Sequence, residues 1–353
     1  MNAAELAEHP RLDPQPDLKP DPTLDPTLDP ESSPRAADPL VSIVIPAFNE
    51  ELTIEAAFDR LHGVLLELRV DYELIFVNDG SRDQTLPLLL RLAHDHPEVR
   101  VIDFSRNFGH QIAVTAGIDH ARGDVVILID ADLQDPPELI GAFLAKWREG
   151  YDVVYAVRQS REGETWFKTW SARLFYRLLR RMTDIDIPLD TGDFRLMSRQ
   201  VAHTLSSSRE HHRFIRGMVS WTGFRQTGIP YVRAERCAGE SKYPLRKMLQ
   251  FSVDGITSFS FKPLQLATKF GVIVAICGFM GIVAVIVEKL FLHTTAVGWA
   301  SLMVVILFLG GIQLLMLGIL GEYTGRIYDE VRDRPMYIVR ESYNFQSEAK
   351  PRI

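Results

Sequence analysis

The sequence predicts a doubly wound, mostly parallel α/β sheet followed by amphipathic interfacial helices and a two-helix transmembrane hairpin. Three observations carry that expectation. From residue 40 to residue 157, apolar strand-like runs alternate with helix-like segments, the pattern of a sheet whose crossovers are helical. After Arg158, aromatic and leucine residues recur at helical spacing with basic residues between them. Near the C-terminus, the uncharged apolar runs 270–287 and 296–321 each reach the roughly 18 to 20 residues that cross a bilayer core as a helix.

The elements follow in order. A strand over 40–45 leads to a helix after Asn49-Glu50, then a strand over 72–77 and a helix from Gln84. A strand over 99–104, a helix over 109–121, a strand over 125–129, a helix from Pro137 to Glu149 and a strand over 152–157 complete the series. Beyond it, Trp166, Phe167, Trp170, Leu174, Phe175, Leu178 and Leu179 share a helical stripe, interleaved with Lys168, Arg173, Arg177, Arg180 and Arg181. Such a helix lies in a membrane interface or is a domain helix with a solvated basic face. Residues 245–262 repeat the theme with Leu245, Met248, Leu249, Phe251, Phe259 and Phe261, and two such elements beside an apolar hairpin favour the interface.

Charge sets the orientation of the hairpin. Lys242, Arg246, Lys247, Lys262 and Lys269 precede the first apolar run, Arg326, Arg332, Arg334 and Arg340 follow the second, and the connection 288–295 carries only Lys289. Both flanks are therefore expected in the cytoplasm, giving a multi-pass protein of the inner (cytoplasmic) membrane with both termini and the catalytic domain inside. Gln313 within the second run calls for a polar neighbour, hence a homo-oligomer.

The formal net charge of -7 belongs mainly to the first 39 residues, which hold nine of the 20 prolines and nine acidic side chains against three basic ones. That stretch buries too little apolar surface to offset ordering and reads as a disordered tail. It has no basic segment followed by an apolar one, so it is not a signal peptide. Cys237 and Cys277, the only cysteines, exclude a disulfide framework and a four-cysteine metal site. The expected organisation is a tail over 1–39, a catalytic domain over 40–235, a juxtamembrane loop and interfacial helix over 236–265, two transmembrane helices over 266–325 and a C-terminal tail over 326–353.

The residues able to carry chemistry cluster at strand ends. Asp130-Ala131-Asp132 follows Val125-Val126-Ile127-Leu128-Ile129 directly, placing two carboxylates where a buried strand meets solvent. That edge of an open α/β sheet is where ligands bind, and carboxylates there suit a hard divalent cation. Alternatively, Asp130 only ends the strand and Asp132 only caps the turn before Pro136-Pro137. The first strand ends in Pro46-Ala47-Phe48-Asn49-Glu50, the second in Asn78-Asp79-Gly80-Ser81, and the third in Ser105-Arg106-Asn107-Phe108-Gly109-His110. In the usual strand order, the first, second and fourth ends surround a nucleotide. No Gly-x-Gly-x-x-Gly follows the first strand and no Gly-Lys-Ser/Thr loop occurs, which argues against dinucleotide oxidoreductases and common ATPases. A diphosphate would then depend on a cation held by carboxylates.

Six motifs occur in order: Val-Ser-Ile-Val-Ile-Pro-Ala-Phe-Asn-Glu at 41–50, Val-Asn-Asp-Gly-Ser at 77–81, Asp-Ala-Asp-Leu-Gln-Asp-Pro-Pro-Glu at 130–138, Thr-Gly-Asp-Phe-Arg-Leu-Met at 191–197, Gly-Glu-Ser-Lys-Tyr at 239–243 and Leu-Gly-Glu-Tyr-Thr-Gly-Arg-Ile-Tyr at 320–328. In combination they resemble the inverting nucleotide-sugar glycosyltransferases of the GT-A fold, and among them the polyprenyl-phosphate glycosyltransferases that include dolichol-phosphate mannose synthases and bactoprenol glucosyltransferases. The resemblance covers residues 40–342 and implies transfer of one sugar, with glucose from UDP-glucose first and mannose or modified arabinose as alternatives, onto undecaprenyl phosphate in the membrane lipid. It implies no nucleic-acid partner.

The resemblance also implies roles. Pro46, Asn49, Glu50, Asp79 and Asp130 match donor-binding positions, Asp132 and Gln134 match ligands of Mg²⁺ or Mn²⁺, and Arg236 and Lys242 match a loop that closes over the donor diphosphate. Arg158 matches an acceptor-phosphate arginine, Asp193 an essential acid, and Lys168 and Arg173 are further candidates where the register slips. Asn78 departs from the family, many members of which carry aspartate there. Read blind, Arg158 is a solvated strand-end cation, Asp193 a turn residue, and Arg216 and Trp221 packing residues. Rival readings are a processive polysaccharide synthase, which the lack of Gln-x-x-Arg-Trp disfavours, and a non-catalytic nucleotide-sensing module.

Overall fold

The computed structural model describes residues 35, 38–158, 191–232, 260, 262–291 and 298–345. The two expected interfacial segments, apart from Ser260 and Lys262, and the candidates Lys168, Arg173, Arg236 and Lys242 lie outside the described residues.

The alternation read from the sequence gives β1 (Val41–Ala47), α1 (Ile54–Leu68), β2 (Tyr72–Asn78), α2 (Thr85–Asp95), β3 (Val99–Phe104), α3 (His110–His120), β4 (Val125–Leu128), α4 (Leu139–Arg148) and β5 (Val153–Arg158). β1 pairs in parallel with both β2 and β4, and β2 with β3. These strands are mostly apolar because both faces are covered, β4 without a polar residue and the others with Ser42, Glu73, Asn78, Arg100 and Asp103 set into them. Ile43 and Ile45 pack towards α1 and α4 with Phe58, Leu61, Phe143 and Leu144, whereas Val44 between them packs towards α3 with Val114 and Ile118. The buried positions of α1, Ile54, Ala57, Phe58, Leu61 and Leu65, keep the spacing that puts one helix face on the sheet. The helix stops at Arg69, whose backbone is left-handed (φ 53°).

Among the described residues, the next elements are β6 (Thr191–Ser198), α5 (Arg199–Ser207), α6 (Ile215–Trp221) and β7 (Gln226–Tyr231). The full order is β7-β5-β6-β4-β1-β2-β3-β8, where β8 is Val339–Tyr343. β6 enters between β4 and β5 and runs antiparallel to both. It is a fully buried strand, so Asp193 is not a turn residue. β8 pairs antiparallel with β3, so part of the segment expected to be a C-terminal tail is the edge of the sheet.

α7 (Lys262–Phe291) and α8 (Trp299–Arg332), 30 and 34 residues long, pack on each other. Both are long and apolar enough to cross a membrane, through 262–281 and 308–332. At about 1.5 Å per residue, α8 is roughly 50 Å long and outruns a hydrocarbon core of about 30 Å. Its polar end docks on the α/β domain. Glu330 accepts the His211 backbone N–H at 2.8 Å and lies 3.0 Å from its imidazole, Asp329 lies 3.2 Å from His212, and Tyr323 donates to the Ser260 carbonyl at 2.6 Å.

Helix α3 lies close against β1 at Gly117, where an added Cβ would sit 2.1 Å from a methyl of Val44. Gly117→Ala is expected to destabilise by about 1–3 kcal/mol through overpacking, despite the better helix propensity of alanine. Adding Val44→Ala should recover part of that loss, so denaturant unfolding of the double variant should fall short of the sum of the single effects.

Candidate active site

The antiparallel register of β4 and β6 builds the centre of the site. Leu128 pairs with Arg195. Carrying that register two residues further sets Asp193 opposite Asp130, on the same face because side chains alternate with period two. Two carboxylates thus meet at the carboxyl end of β4.

Cations from two helices surround them. Arg216 of α6 donates from Nε to Asp193 Oδ1 at 2.7 Å and from a terminal nitrogen to the Thr191 carbonyl at 2.8 Å. His110, the first residue of α3, holds Nε2 3.1 Å from Asp193 Oδ2 and 3.8 Å from Asp130 Oδ1. Gln111 ties the two helices, its amide donating to Asp193 at 3.4 Å and its carbonyl accepting the Ile215 N–H at 3.0 Å. Arg195, buried two residues along β6, donates to the Gly192 carbonyl at 3.0 Å. Arg216 is thus an ion-pair partner and not the packing residue expected, while Trp221 is 60% exposed.

The electrostatics follow from burial and charge. Burial opposes ionisation of Asp193, but the Arg216 charge and the His110 hydrogen bond outweigh it and hold the carboxyl well below the usual range. Burial also opposes the His110 cation, yet the hydrogen bond to Asp193 and the charge of Asp130 push its pKa up to about 8. Asp130 goes the other way: burial raises it to about 6, relieved by His110 and reinforced by Asp193, Asp132 and Asp135.

The neighbouring strand ends line the same edge. Asn49 is left-handed (φ 56°); its N–H donates to Ser81 at 3.0 Å and its side-chain oxygen accepts the Arg82 N–H at 2.9 Å. Glu50 accepts the Thr53 hydroxyl at 2.7 Å, and Pro46 is buried within β1. Asp79 accepts the N–H groups of Phe108 at 2.6 Å and Gly109 at 2.9 Å, locking the second strand end to the third. Gly80 permits that contact, since its φ is 67° and a Cβ would sit 2.5 Å from the Arg106 carbonyl carbon. Asn78, the departure from the family, is buried and donates to Asp103 at 2.7 Å, and Asp103 pairs with Arg340 of β8 at 3.2 Å.

After Ile129 the chain turns sharply. Leu133 is left-handed (φ 59°) and the Gln134 N–H donates to Asp132 Oδ1 at 3.1 Å. Asp132 and Gln134 offer carboxylate and amide oxygens, the donors a hard divalent cation takes, and Asp130 and Asp135 add negative charge nearby. Asp135 accepts the Tyr231 hydroxyl, and Arg158 at the end of β5 donates to the same hydroxyl at 3.3 Å while lying over Gly192. The edge therefore gathers Asn49, Glu50, Asp79, Asp130, Asp132, Gln134, Asp193 and Arg158. The sequence expectation gave His110 no role and assigned Arg216 to packing. His110 was visible as a strand-end histidine following a glycine, whereas nothing local marks Arg216.

The family model described as "Glycosyl transferase family 2" matches residues 42–206. A Bacillus subtilis glycosyltransferase named YkcC is 56% identical over 306 residues, covering 87% of this chain and 95% of that protein. The chain belongs to glycosyl transferase family 2. This family 2 chain is also 42% identical, over 86% of its length and 98% of the relative, to a Shigella flexneri protein named SfII prophage-derived bactoprenol glucosyl transferase. An Escherichia coli protein named as a prophage homologue of the same activity is 40% identical over 85% of this chain and 98% of the relative. The family match ends before Arg216, so the cation paired with Asp193 lies outside it.

Two outcomes test the cluster. Arg216→Met should destabilise by about 3 kcal/mol in denaturant unfolding, because a buried carboxylate loses its partner. The folded-state pKa of His110 lies above the unfolded value of 6.5, so its stabilising contribution is whole below about 6.5 and lost as pH rises through about 8. NMR titration of the imidazole should report that midpoint in metal-free protein, and a lower one once a divalent ion is added.

Proposed function

We propose that the protein transfers a single glucosyl unit from UDP-glucose to the phosphate of a polyprenyl carrier of the undecaprenyl type, with inversion at the anomeric carbon. The observation that carries the reading is the pairing of Asp193 with the Asp130-Ala131-Asp132 strand end, in a chain with 42% identity to a protein named as a bactoprenol glucosyl transferase. The long apolar helices α7 and α8 suit an acceptor that resides in lipid, with both chain ends and the α/β domain on the cytoplasmic side of the inner membrane.

The chain's own residues divide the work. Asn49, Glu50 and Asp79 bind the nucleoside end of the donor, with Pro46 shaping the strand beneath them. Asp130 supports the nucleotide side, while Asp132 and Gln134 hold Mg²⁺ or Mn²⁺. That ion, when bound, stabilises the charge of the departing diphosphate. Arg158 receives the acceptor phosphate, with Tyr231 and Asp135 fixing its position. Lys168 and Arg173 act on the acceptor side, and Arg236 and Lys242 close over the donor.

No strong base is needed. A phosphate monoester has a second pKa near 6 and is mostly dianionic at neutral pH, so its oxygen attacks without prior deprotonation once positioned. Asp193, held ionised by Arg216 and His110, is a weak base and serves as an orienting carboxylate.

The deciding experiment incubates full-length protein in detergent with undecaprenyl phosphate and labelled UDP-glucose, GDP-mannose and UDP-linked modified arabinose, and counts label in the lipid extract. Label from UDP-glucose is expected, and no label from any donor overturns the reading. Asp132→Asn should lower transfer at least about a hundredfold, since several kcal/mol of charge stabilisation is removed and about 1.4 kcal/mol corresponds to tenfold.

A further inference from the structure

The edge of the sheet opposite the active site carries a second cluster of ligating side chains. His62 lies on α1, Tyr72 begins β2, His96 caps α2, and Glu98 immediately precedes β3. Glu98 Oε1 lies 3.6 Å from His62 Nδ1 and 3.4 Å from His96 Nδ1. One atom from each of the three residues lies within 4.8 Å of the other two. Zinc bonds of about 2.0–2.2 Å in a tetrahedron set neighbouring ligand atoms about 3.3–3.5 Å apart. Two edges of this triangle already approach that spacing, and the third closes with a shift of at most roughly 1.5 Å.

The rings are held for the purpose. Phe58 lies against both imidazoles, with centroids 5.2 Å from His62 and 4.6 Å from His96, and the imidazoles lie 5.4 Å apart. Tyr72 places its hydroxyl 2.7 Å from His62 Nδ1 and interacts with Glu98. The three ligating side chains are 22–33% exposed, which leaves an ion access from solvent.

We propose that His62, His96 and Glu98 form a site for a borderline divalent transition metal, Zn²⁺ foremost, with water as the fourth ligand and Tyr72 turning its hydroxyl to Glu98. Two imidazole nitrogens and one carboxylate suit zinc, whereas the all-oxygen set of Asp132 and Gln134 suits Mg²⁺ or Mn²⁺. The length of β2, roughly 20 Å, separates the two edges, so the ion takes no part in transfer. It clamps α1, the end of α2 and the entry to β3, and Tyr72 ties the start of β2 to Glu98.

Metal content is measured in full-length Asp132→Asn protein, stripped with chelator and equilibrated with Zn²⁺, so that the active-site carboxylate contributes least. One zinc per chain is expected, with a raised unfolding temperature, and Co²⁺ in its place should give the visible spectrum of a four-coordinate ion. His62→Gln, His96→Gln and Glu98→Gln, added singly, should each abolish the bound zinc and the thermal shift, while His94→Gln on the exposed face of α2 should leave both intact. If one variant fails to fold, the other two decide. No zinc in the parent, or zinc unchanged by these substitutions, overturns the proposal.

Discussion

The structure depends on placing like charges side by side at the end of a buried strand. Asp130 and Asp193 meet across the ends of β4 and β6, Asp193 buried and Asp130 half-buried, and such a pair is favoured when cations are built in with it. Arg216 and His110 meet that need from helices on the same face of the sheet, and Gln111 binds the two helices to each other. The cluster is therefore also a tertiary crosslink among β4, β6, α3 and α6. Its carboxylates are poised by partners that a change in any one of those elements would disturb.

Most of the sheet was legible because its physics is local. β1, β2 and β4 are buried almost throughout and mostly apolar, β3 keeps four apolar residues around Arg100 and Asp103, and α1 repeats its apolar residues at helical spacing. β6 was not legible. It is as buried as β1 yet carries Asp193 and Arg195, whose charges are balanced by partners distant in sequence, so a blind reading at Thr191-Gly192-Asp193 also fits a turn. The same non-locality hid Arg216, which lies 23 residues from Asp193 and is joined to it only through the fold. The strand-end motifs, by contrast, were complete in the sequence because the carboxyl ends of adjacent parallel strands must share one edge.

Asn78 illustrates how a departure from a family pattern acquires a physical meaning. The side chain is buried, donates to Asp103 and accepts the Ser81 N–H, so it links Asp103 to the second strand end. Asp103 in turn receives Arg340 from β8. A neutral amide at position 78 avoids a second buried carboxylate beside Asp103, the same problem that Arg216 and His110 resolve on the other side of β1.

The eighth strand has a further consequence. The sheet is completed by residues 339–343, which follow both long apolar helices, while its partner β3 ends at Phe104. During synthesis the outer edge of β3 has no strand beside it until more than two hundred further residues have been joined. An unpaired edge invites pairing with another chain. The last step in assembling the α/β domain thus waits for the helix pair, and the C-terminal strand acts as a closing latch that seals the sheet only in a chain whose apolar helices have already been made.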